Sequence, residues 1–306
     1  MTVNWMRFLL LFGLVMSGSS QASEVEYGSG TMKLEGGVLG LEGDNTSRVT
    51  TYRLKENHSN IWSTDWFYNY QLAYYTAEPM DVLGTTVDAI GGGFLDVSGT
   101  QYDVKGFDGQ ASFGYNIYSE GEHDYIGLGV SLGIAAPYLE NSEGSTGSTS
   151  DSSSDSTTES SGSTIVGAGA TATADFLYST TEFFGYKVGP KLMASKSLGK
   201  YASVYGEVSY AWQTLRMTNN TLDLDVDVDG IYVSYDLGFR YQPIKYKYDI
   251  GIMTLEPSLF MTFGANYSEL IMEDLALDLS GYNYLFEGSR LKISSTTLYM
   301  GVGYEF

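Results

Sequence analysis

Cysteine is absent from the 306-residue chain, and histidine occurs only twice. Without cysteine there is no thiol nucleophile, no thiolate metal site and no disulfide, so backbone pairing and packing must hold the fold. Two histidines leave little material for imidazole-based metal or relay chemistry. Basic residues are also few, because 16 Lys and Arg stand against 37 Asp and Glu, a formal net charge of −21. This balance excludes nucleic acid as a partner, since phosphates require a basic surface.

The first 22 residues have the composition of an export signal. Arg7 precedes the apolar run 8–16, and Ser20-Gln21-Ala22 then gives the small-x-small pattern of a cleavage site. A retained membrane anchor is the alternative, but at 1.5 Å per residue the run spans about 14 Å of a bilayer core of about 30 Å. We therefore predict a signal peptide over 1–22 and one mature domain over 23–306.

Beyond the signal, long apolar runs are missing, and what is present instead is alternation with period two. The stretch 126–134 has Ile, Leu or Val at even positions and Gly or Ser at odd ones, and 231–241 alternates in the same manner. These faces run for about nine to twelve residues, the length of a tilted membrane strand, whereas strands of soluble proteins average about five or six. A soluble β-sandwich would also alternate, but the strand lengths and the Tyr and Trp at the stripe ends favour a membrane barrel.

The last nine residues carry a resemblance to a known class. Leu298, Met300, Val302, Tyr304 and Phe306 alternate with small or polar residues, and the printed chain stops on Phe306. This resembles the closing strand of Gram-negative outer-membrane β-barrels, in which a terminal aromatic residue is recognised by the barrel-assembly machinery. The resemblance implies a place in the bacterial outer membrane, among its lipid and lipopolysaccharide, with Tyr304 and Phe306 as the assembly signal. It covers the architecture and does not reach a functional family.

The fold prediction is an all-β, antiparallel transmembrane β-barrel of about ten strands. If both chain ends lie on the periplasmic side, the number of strands must be even, and eight or twelve strands remain alternatives. Short turns at 119–123 and 197–200 are then periplasmic. A proline within a strand, Pro190, predicts a β-bulge. The ten candidate strands are 31–42, 48–56, 63–76, 103–118, 124–138, 183–197, 201–218, 221–242, 253–268 and 291–306.

A low-complexity tract lies between two of these strands. Residues 140–163 have no apolar side chain and no Lys or Arg, and consist mostly of Ser, Thr, Gly, Asp and Glu. Such a tract cannot bury enough area to offset its ordering entropy, so we predict a disordered surface loop. If the tract were a linker between two domains, each half of the chain would form an open sheet with unpaired edges in lipid. We therefore exclude a domain linker.

One motif has the spacing of an ion site. Asp225, Asp227, Asp229 and Gly230, with Asp236 in the twelfth position, match the calcium-loop template except that Asp replaces the final Glu. The flanking helices of a true calcium loop are absent, because the surrounding pattern is that of a hairpin. The set Asp223, Asp225, Asp227 and Asp229 nevertheless shares one face at about 7 Å spacing. We predict a divalent cation there, Ca²⁺ or a bridge to lipopolysaccharide, with pairing to Arg216 as the alternative.

Charged residues of both signs are predicted to face the lumen, and they indicate an interior ion-pair network. A ten-stranded barrel is barely wider than an eight-stranded one, which side chains fill. We therefore predict a monomeric, non-enzymatic barrel without cofactor, of narrow or closed lumen, with a structural or surface-interaction role. A small cation-preferring diffusion channel is the alternative, and a barrel protease or lipid hydrolase ranks third. The lumen candidates are Lys187, Lys191, Glu207, Asp236, Arg240 and Glu256.

Overall fold

The computed structural model describes most of the region that alternates in sequence. Predictions at 1–21, 142–163, Asp223, Glu256 and Phe306 lie outside the described residues, as do the side chains of Ala22 and Asp225. The described residues are 22–38, 41–58, 64–81, 86–88, 94–96, 101–120, 124–141, 180–219, 224–243, 248–249, 254–255, 258–273, 276–279, 282–285 and 290–305.

Ten long strands form one sheet. Their alternating sequence gives each strand one apolar face and one small or polar face, as a barrel wall requires. The strands are β1 (Ala22–Val38), β2 (Leu41–His58), β3 (Trp66–Ala77), β4 (Gln101–Ser119), β5 (Tyr125–Asn141), β6 (Thr181–Ser197), β7 (Ala202–Asn219), β8 (Leu224–Tyr241), β9 (Leu259–Glu273) and β10 (Arg290–Glu305).

The sheet closes on itself through antiparallel pairs. Every strand pairs with its neighbours in the chain, and β1 pairs with β10, so that Ala22 lies opposite Glu305 and Gly37 lies opposite Arg290. Closure leaves no bare edge among these ten strands, which is the condition for spanning lipid with strands. The predicted all-β, ten-stranded antiparallel barrel is confirmed.

The two ends of the barrel differ in their connections. We call the end that holds Ala22 and Glu305 the terminal rim, and the opposite end the loop rim. At the terminal rim, β6 and β7 are joined by a tight turn in which Gly199 has a φ of 127°, a conformation that favours glycine. The two longest segments between the ten strands, 78–100 and 142–180, leave from the loop rim, as does 274–289, while 242–258 joins β8 to β9 at the terminal rim. The half of each strand nearer the terminal rim is the terminal half, and the other is the loop half.

Short strands extend the ladder beyond the ten. Met80–Asp81 pairs with β4, and three further two-stranded pairs are formed by Thr86–Asp88 with Phe94–Asp96, Tyr248–Asp249 with Thr254–Leu255, and Ala276–Leu279 with Tyr282–Leu285. Within the described ranges, no helix is long and apolar enough to cross a membrane.

Several predicted boundaries were wrong. The first two strands are Ala22–Val38 and Leu41–His58 rather than 31–42 and 48–56. Strand β9 ends five residues later than predicted, at Glu273 rather than 268. Glu140 and Asn141 belong to β5 and not to the Ser-rich tract. At the ends of β5 and β9 the residues are charged, and the backbone pairing continues through them, with Glu140 opposite Asp103 and Glu273 opposite Arg290.

Pro190 causes no bulge. Val130 lies opposite Pro190 in regular register, and the pairing of β6 with β7 keeps the same register on both sides of the proline. The missing N–H therefore interrupts the ladder without adding a residue. The irregularity lies between Asn116 and Tyr118, in the pairing of β4 with β5.

Candidate functional site

The exterior of the terminal half is apolar around the whole circumference. Each of the ten strands directs at least one large apolar side chain outward, and at the rim Trp66 stacks on Phe113 with ring centroids 4.8 Å apart. An aromatic girdle and a continuous apolar band are the features of a lipid-facing surface. One exposed side chain from the terminal half of each strand in turn is Val25, Tyr52, Trp66, Phe113, Leu132, Leu192, Val208, Leu237, Phe263 and Leu298.

The exterior of the loop half is charged on β1, β4, β9 and β10. On β6 and β7 it keeps exposed apolar side chains, Phe184, Tyr186 and Trp212. On β10, Lys292 lies 3.3 Å from Glu35 and 3.0 Å from Glu269, and Glu35 also pairs with Lys33. On β4, Lys105 lies 3.1 Å from Asp103. Ion pairs of this kind suit water and are costly in hydrocarbon, so the apolar band ends where they begin.

The lumen of the terminal half contains a buried cluster of four charges. Arg53 on β2 lies 2.6 Å from Glu26 on β1 and 2.7 Å from Asp236 on β8. Lys55 lies 3.3 Å from Glu26 and 2.6 Å from Asp236. All four side chains are at least nine-tenths buried, and two charges of each sign make the cluster neutral. Burial of an ion is tolerated only with such close partners.

Two tyrosines complete this cluster. The Tyr299 hydroxyl donates to Asp236 at 2.5 Å and lies 2.9 Å from the Tyr205 hydroxyl, while the Arg53 guanidinium stands 4.2 Å above the Tyr299 ring. Space for the rings comes from glycines on neighbouring strands. A Cβ at Gly264 or Gly238 would overlap the ring of Tyr299 or Tyr205, respectively, so glycine is required at both positions.

Further polar contacts fill the rest of this cross-section. Lys191 lies 2.8 Å from Glu207, and Lys187 pairs with Asp108 and stands 3.6 Å from the Tyr232 ring. We call these pairs, together with Glu26, Arg53, Lys55, Asp236, Tyr205 and Tyr299, the plug. Because its partners come from strands on opposite sides of the barrel, the plug spans the lumen.

The lumen of the loop half contains a large apolar cluster. In this cluster, Val49, Val104, Leu215 and Met272 are completely inaccessible to solvent. Four of the members are methionines, whose flexible thioethers fill irregular space. We call this cluster the collar: Met32, Val49, Ala77, Met80, Val104, Ala135, Phe183, Leu215, Met217, Val228, Leu270, Met272, Leu291 and Ile293.

A cavity of about 70 Å³ lies between the collar and the plug. Its apolar wall includes Met32 and Ile293 from the collar, and its polar wall includes Thr51, Arg53 and Asp108. The hydroxyl of Thr51, Nη2 of Arg53 and Oδ1 of Asp108 are buried without a hydrogen-bond partner among the described residues. We call this cavity the chamber.

The structure places five of the six predicted lumen charges inside the barrel: Lys187, Lys191, Glu207, Asp236 and Arg240. The first four belong to the plug, while the Arg240 guanidinium lies 4.1 Å from the Phe260 ring and 3.9 Å from Glu305 at the terminal rim.

The predicted cation site is described only in part. Asp227 and Asp229 are exposed on the outer face of β8, where Asp227 lies opposite Arg216 and Asp229 accepts a hydrogen bond from Thr214 at 2.9 Å. Among the described residues, no group of three His, Asp or Glu side chains is arranged to hold a metal ion. Tyr304, from the predicted assembly signal, pairs with Leu259 in the closed ladder.

Sequence reasoning missed the centre of the plug. The predicted lumen charges do not include Glu26, Arg53 or Lys55, although Arg53 and Lys55 lie in the candidate strand 48–56. The available signal was their spacing, because two cations at i and i+2 share one face of a strand and require carboxylates when that face is buried.

His58 is a buried residue and not a solvated turn residue. It ends β2 and stacks on Tyr68 with ring centroids 4.0 Å apart. It lies at the terminal rim, 3.3 Å from Glu56. His123 lies outside the described residues.

Similarity to solved structures extends over nearly the whole chain at low identity. No protein-family model and no curated protein matches. The outer-membrane protease OmpT of Escherichia coli is 9% identical, with 95% of this chain and 98% of that chain covered and a TM-score of 0.47. The translocator domain of the autotransporter NalP of Neisseria meningitidis is 11% identical, with coverage of 99% and 95% and a TM-score of 0.37. Ail, the attachment invasion locus protein of Yersinia pestis, is 12% identical, with coverage of 94% and 100% and a TM-score of 0.30.

The class of the protein follows from its own geometry. The closed antiparallel sheet of ten strands, the apolar exterior band and the polar lumen inside that band together define a β-barrel of the bacterial outer-membrane type. No functional family is assigned by this architecture.

Proposed function

We propose that this chain is a closed, non-conducting outer-membrane barrel with a structural or surface-interaction role. The observation that supports the proposal is the contact between Arg53 and Asp236 at 2.7 Å. Strands β2 and β8 are separated around the wall by β1, β10 and β9, so this ion pair reaches across the lumen. A second bridge, from Gln110 on β4 to Ser209 on β7 at 2.8 Å, closes the other side.

A permeating ion would have to displace the paired charges of the plug. The plug is neutral and its charges are mutually paired, so a permeating cation would replace short contacts made in a water-poor interior. Ten strands leave little further cross-section once inward side chains are counted. The narrow cation channel therefore ranks second.

Location and partners are part of the proposal. An export signal over 1–22 would deliver the chain to the periplasm, and the barrel-assembly machinery would recognise the closing strand. An apolar band on all ten strands leaves no outward face that needs a protein partner, which supports a monomer among lipid and lipopolysaccharide.

The surface that would interact with molecules outside the cell is the loop rim. The longest connections leave there, and the chain carries a net charge of −21, so the barrel would present acidic segments to the cell exterior. His58 lies at the opposite rim, away from any substrate outside the cell, and this placement supports a non-enzymatic role.

Conductance of the refolded protein in a planar bilayer tests the proposal. We expect no steady current from protein whose folding is verified by heat-modifiable electrophoretic mobility, with a large porin in the same bilayer as the positive control. A stable, large, voltage-insensitive current would refute the closed lumen. The reversal potential in a salt gradient would then show whether the cation-preferring channel takes its place.

A further inference from the structure

The chamber has the composition of a hydration site. Polar side chains with both donors and acceptors line it, among them Gln71, Asn266 and Ser268. Polar cavities of sufficient size inside proteins normally hold internal water. At about 70 Å³ the cavity has room for roughly five water molecules, since each needs about 10–15 Å³.

The collar closes the chamber on the side of the loop rim. Its members Leu215 and Met272 are fully buried, and buried apolar side chains from the ten strands and from Met80 form it, with Ser47 and Thr181 as buried polar neighbours at the same end of the lumen. An ion that enters such a constriction loses its hydration without gaining a ligand, which is how hydrophobic gates exclude ions.

The plug closes the chamber on the side of the terminal rim. Arg53 belongs to both the plug and the wall of the chamber, because it lines the chamber and its guanidinium pairs with Glu26 and Asp236. The plug excludes ions by a different mechanism from the collar, since it is polar and occupies space with paired charges.

We propose that the lumen holds a water-filled chamber closed by two seals in series, the plug and the collar, and that each seal alone stops ions. This inference rests on the proposed closed lumen. Conductance through the barrel would then require that both seals be opened in the same molecule.

The experiment uses the absence of cysteine. A thiol introduced by Ala73→Cys, in the chamber wall, is the only one in the chain and reports whether a small charged methanethiosulfonate reagent reaches the chamber. Thr46→Cys, exposed on the outer face of β2, is the matched control. The plug is opened by Arg53→Ala with Asp236→Ala, which removes one charge of each sign. The collar is opened by Leu215→Ser with Met272→Ser.

The reaction rate of the thiol and the conductance of the barrel should respond differently when one seal is opened. With both seals intact, the Ala73→Cys thiol should react roughly 100-fold more slowly than the Thr46→Cys thiol, because a buried group reacts only on local opening. With one seal opened, the reaction rate should approach that of the control while the bilayer stays silent. With both opened, a steady current should appear.

Three results would overturn the two-seal arrangement: fast reaction of the Ala73→Cys thiol with both seals intact, current through a variant with one seal opened, or silence of the combined variant while its thiol reacts. Current through the unmodified protein would instead refute the closed lumen itself, so the two failures are distinguishable. Heat-modifiable mobility verifies folding, and Leu215→Ala with Met272→Ala replaces the serine pair if that pair does not fold.

Discussion

The terminal half and the loop half of the barrel have opposite arrangements of polar and apolar side chains. On β10, the terminal half directs Leu298 and Met300 outward and places the Tyr299 hydroxyl in the plug. The loop half of the same strand directs Lys292 into exterior ion pairs and buries Leu291 and Ile293 in the collar. The first is a membrane arrangement, and the second is that of a small water-soluble barrel.

This difference locates the membrane. Strand β4 has 19 residues. At about 3.3 Å per residue and a tilt of about 40°, such a strand extends roughly 45–50 Å along the barrel axis, whereas the apolar band of an outer-membrane barrel is about 25 Å tall. The loop half therefore stands outside the bilayer, where a charged exterior and an apolar core are the stable combination.

The largest expected effect comes from removing one carboxylate from each half. Asp236→Ala deprives Arg53, Lys55 and Tyr299 of a buried partner and should lower the free energy of unfolding by about 3–5 kcal/mol. Glu35→Ala removes a carboxylate that also has two cationic partners, but on the wet exterior, and should cost about 0–1 kcal/mol. Urea unfolding in lipid vesicles, followed by tryptophan fluorescence, measures both. Equal losses would show that the two networks lie in similar surroundings.

A smaller effect tests the outer surfaces of the two halves. Leu237, 67% exposed on the terminal half, should face lipid, so Leu237→Arg should cost about 2–4 kcal/mol of folding free energy in vesicles. Thr46 is exposed on the loop half, and Thr46→Arg should cost at most about 1 kcal/mol because its side chain remains in water. The same unfolding assay compares them. A penalty at Thr46 as large as that at Leu237 would place the loop half within the bilayer.

The number of strands and their closure could be predicted because alternation is a local property of the sequence. The plug could not, because its partners are far apart in the chain: Arg53 and Asp236 are 183 residues apart. Only the register of the closed sheet brings them together, and that register depends on all ten strands at once.

The boundary between the halves was present in the sequence as a change of apolar phase within one predicted strand, 221–242. On β8 the apolar residues Leu224, Val226 and Val228 occupy even positions, whereas from Ile231 onward they occupy odd ones. In the structure β8 continues through this change, so Val228 is buried in the lumen while Leu237 is exposed on the outer surface. A change of apolar phase within one strand therefore marks the point at which that strand leaves the membrane.

The smallest predicted effect concerns a turn at the terminal rim. Asp124 accepts hydrogen bonds from the Lys196 ammonium at 2.7 Å and from the backbone N–H of Ser197 at 2.5 Å, and these bonds, the Lys196 bond first, hold the pKa of that carboxyl well below its usual range.

A depressed folded-state pKa contributes stability above the unfolded-state pKa of about 3.9, and the contribution is lost as the pH falls through the folded value. Asp124→Asn should therefore lower the urea midpoint slightly at pH 7, and the difference between the two proteins should shrink progressively below about pH 4. Comparing the variant with the unmodified chain at each pH cancels the titration of the other carboxyls. A midpoint difference that stays constant from pH 7 down to acid would mean that the loss in the variant does not come from the charge of Asp124.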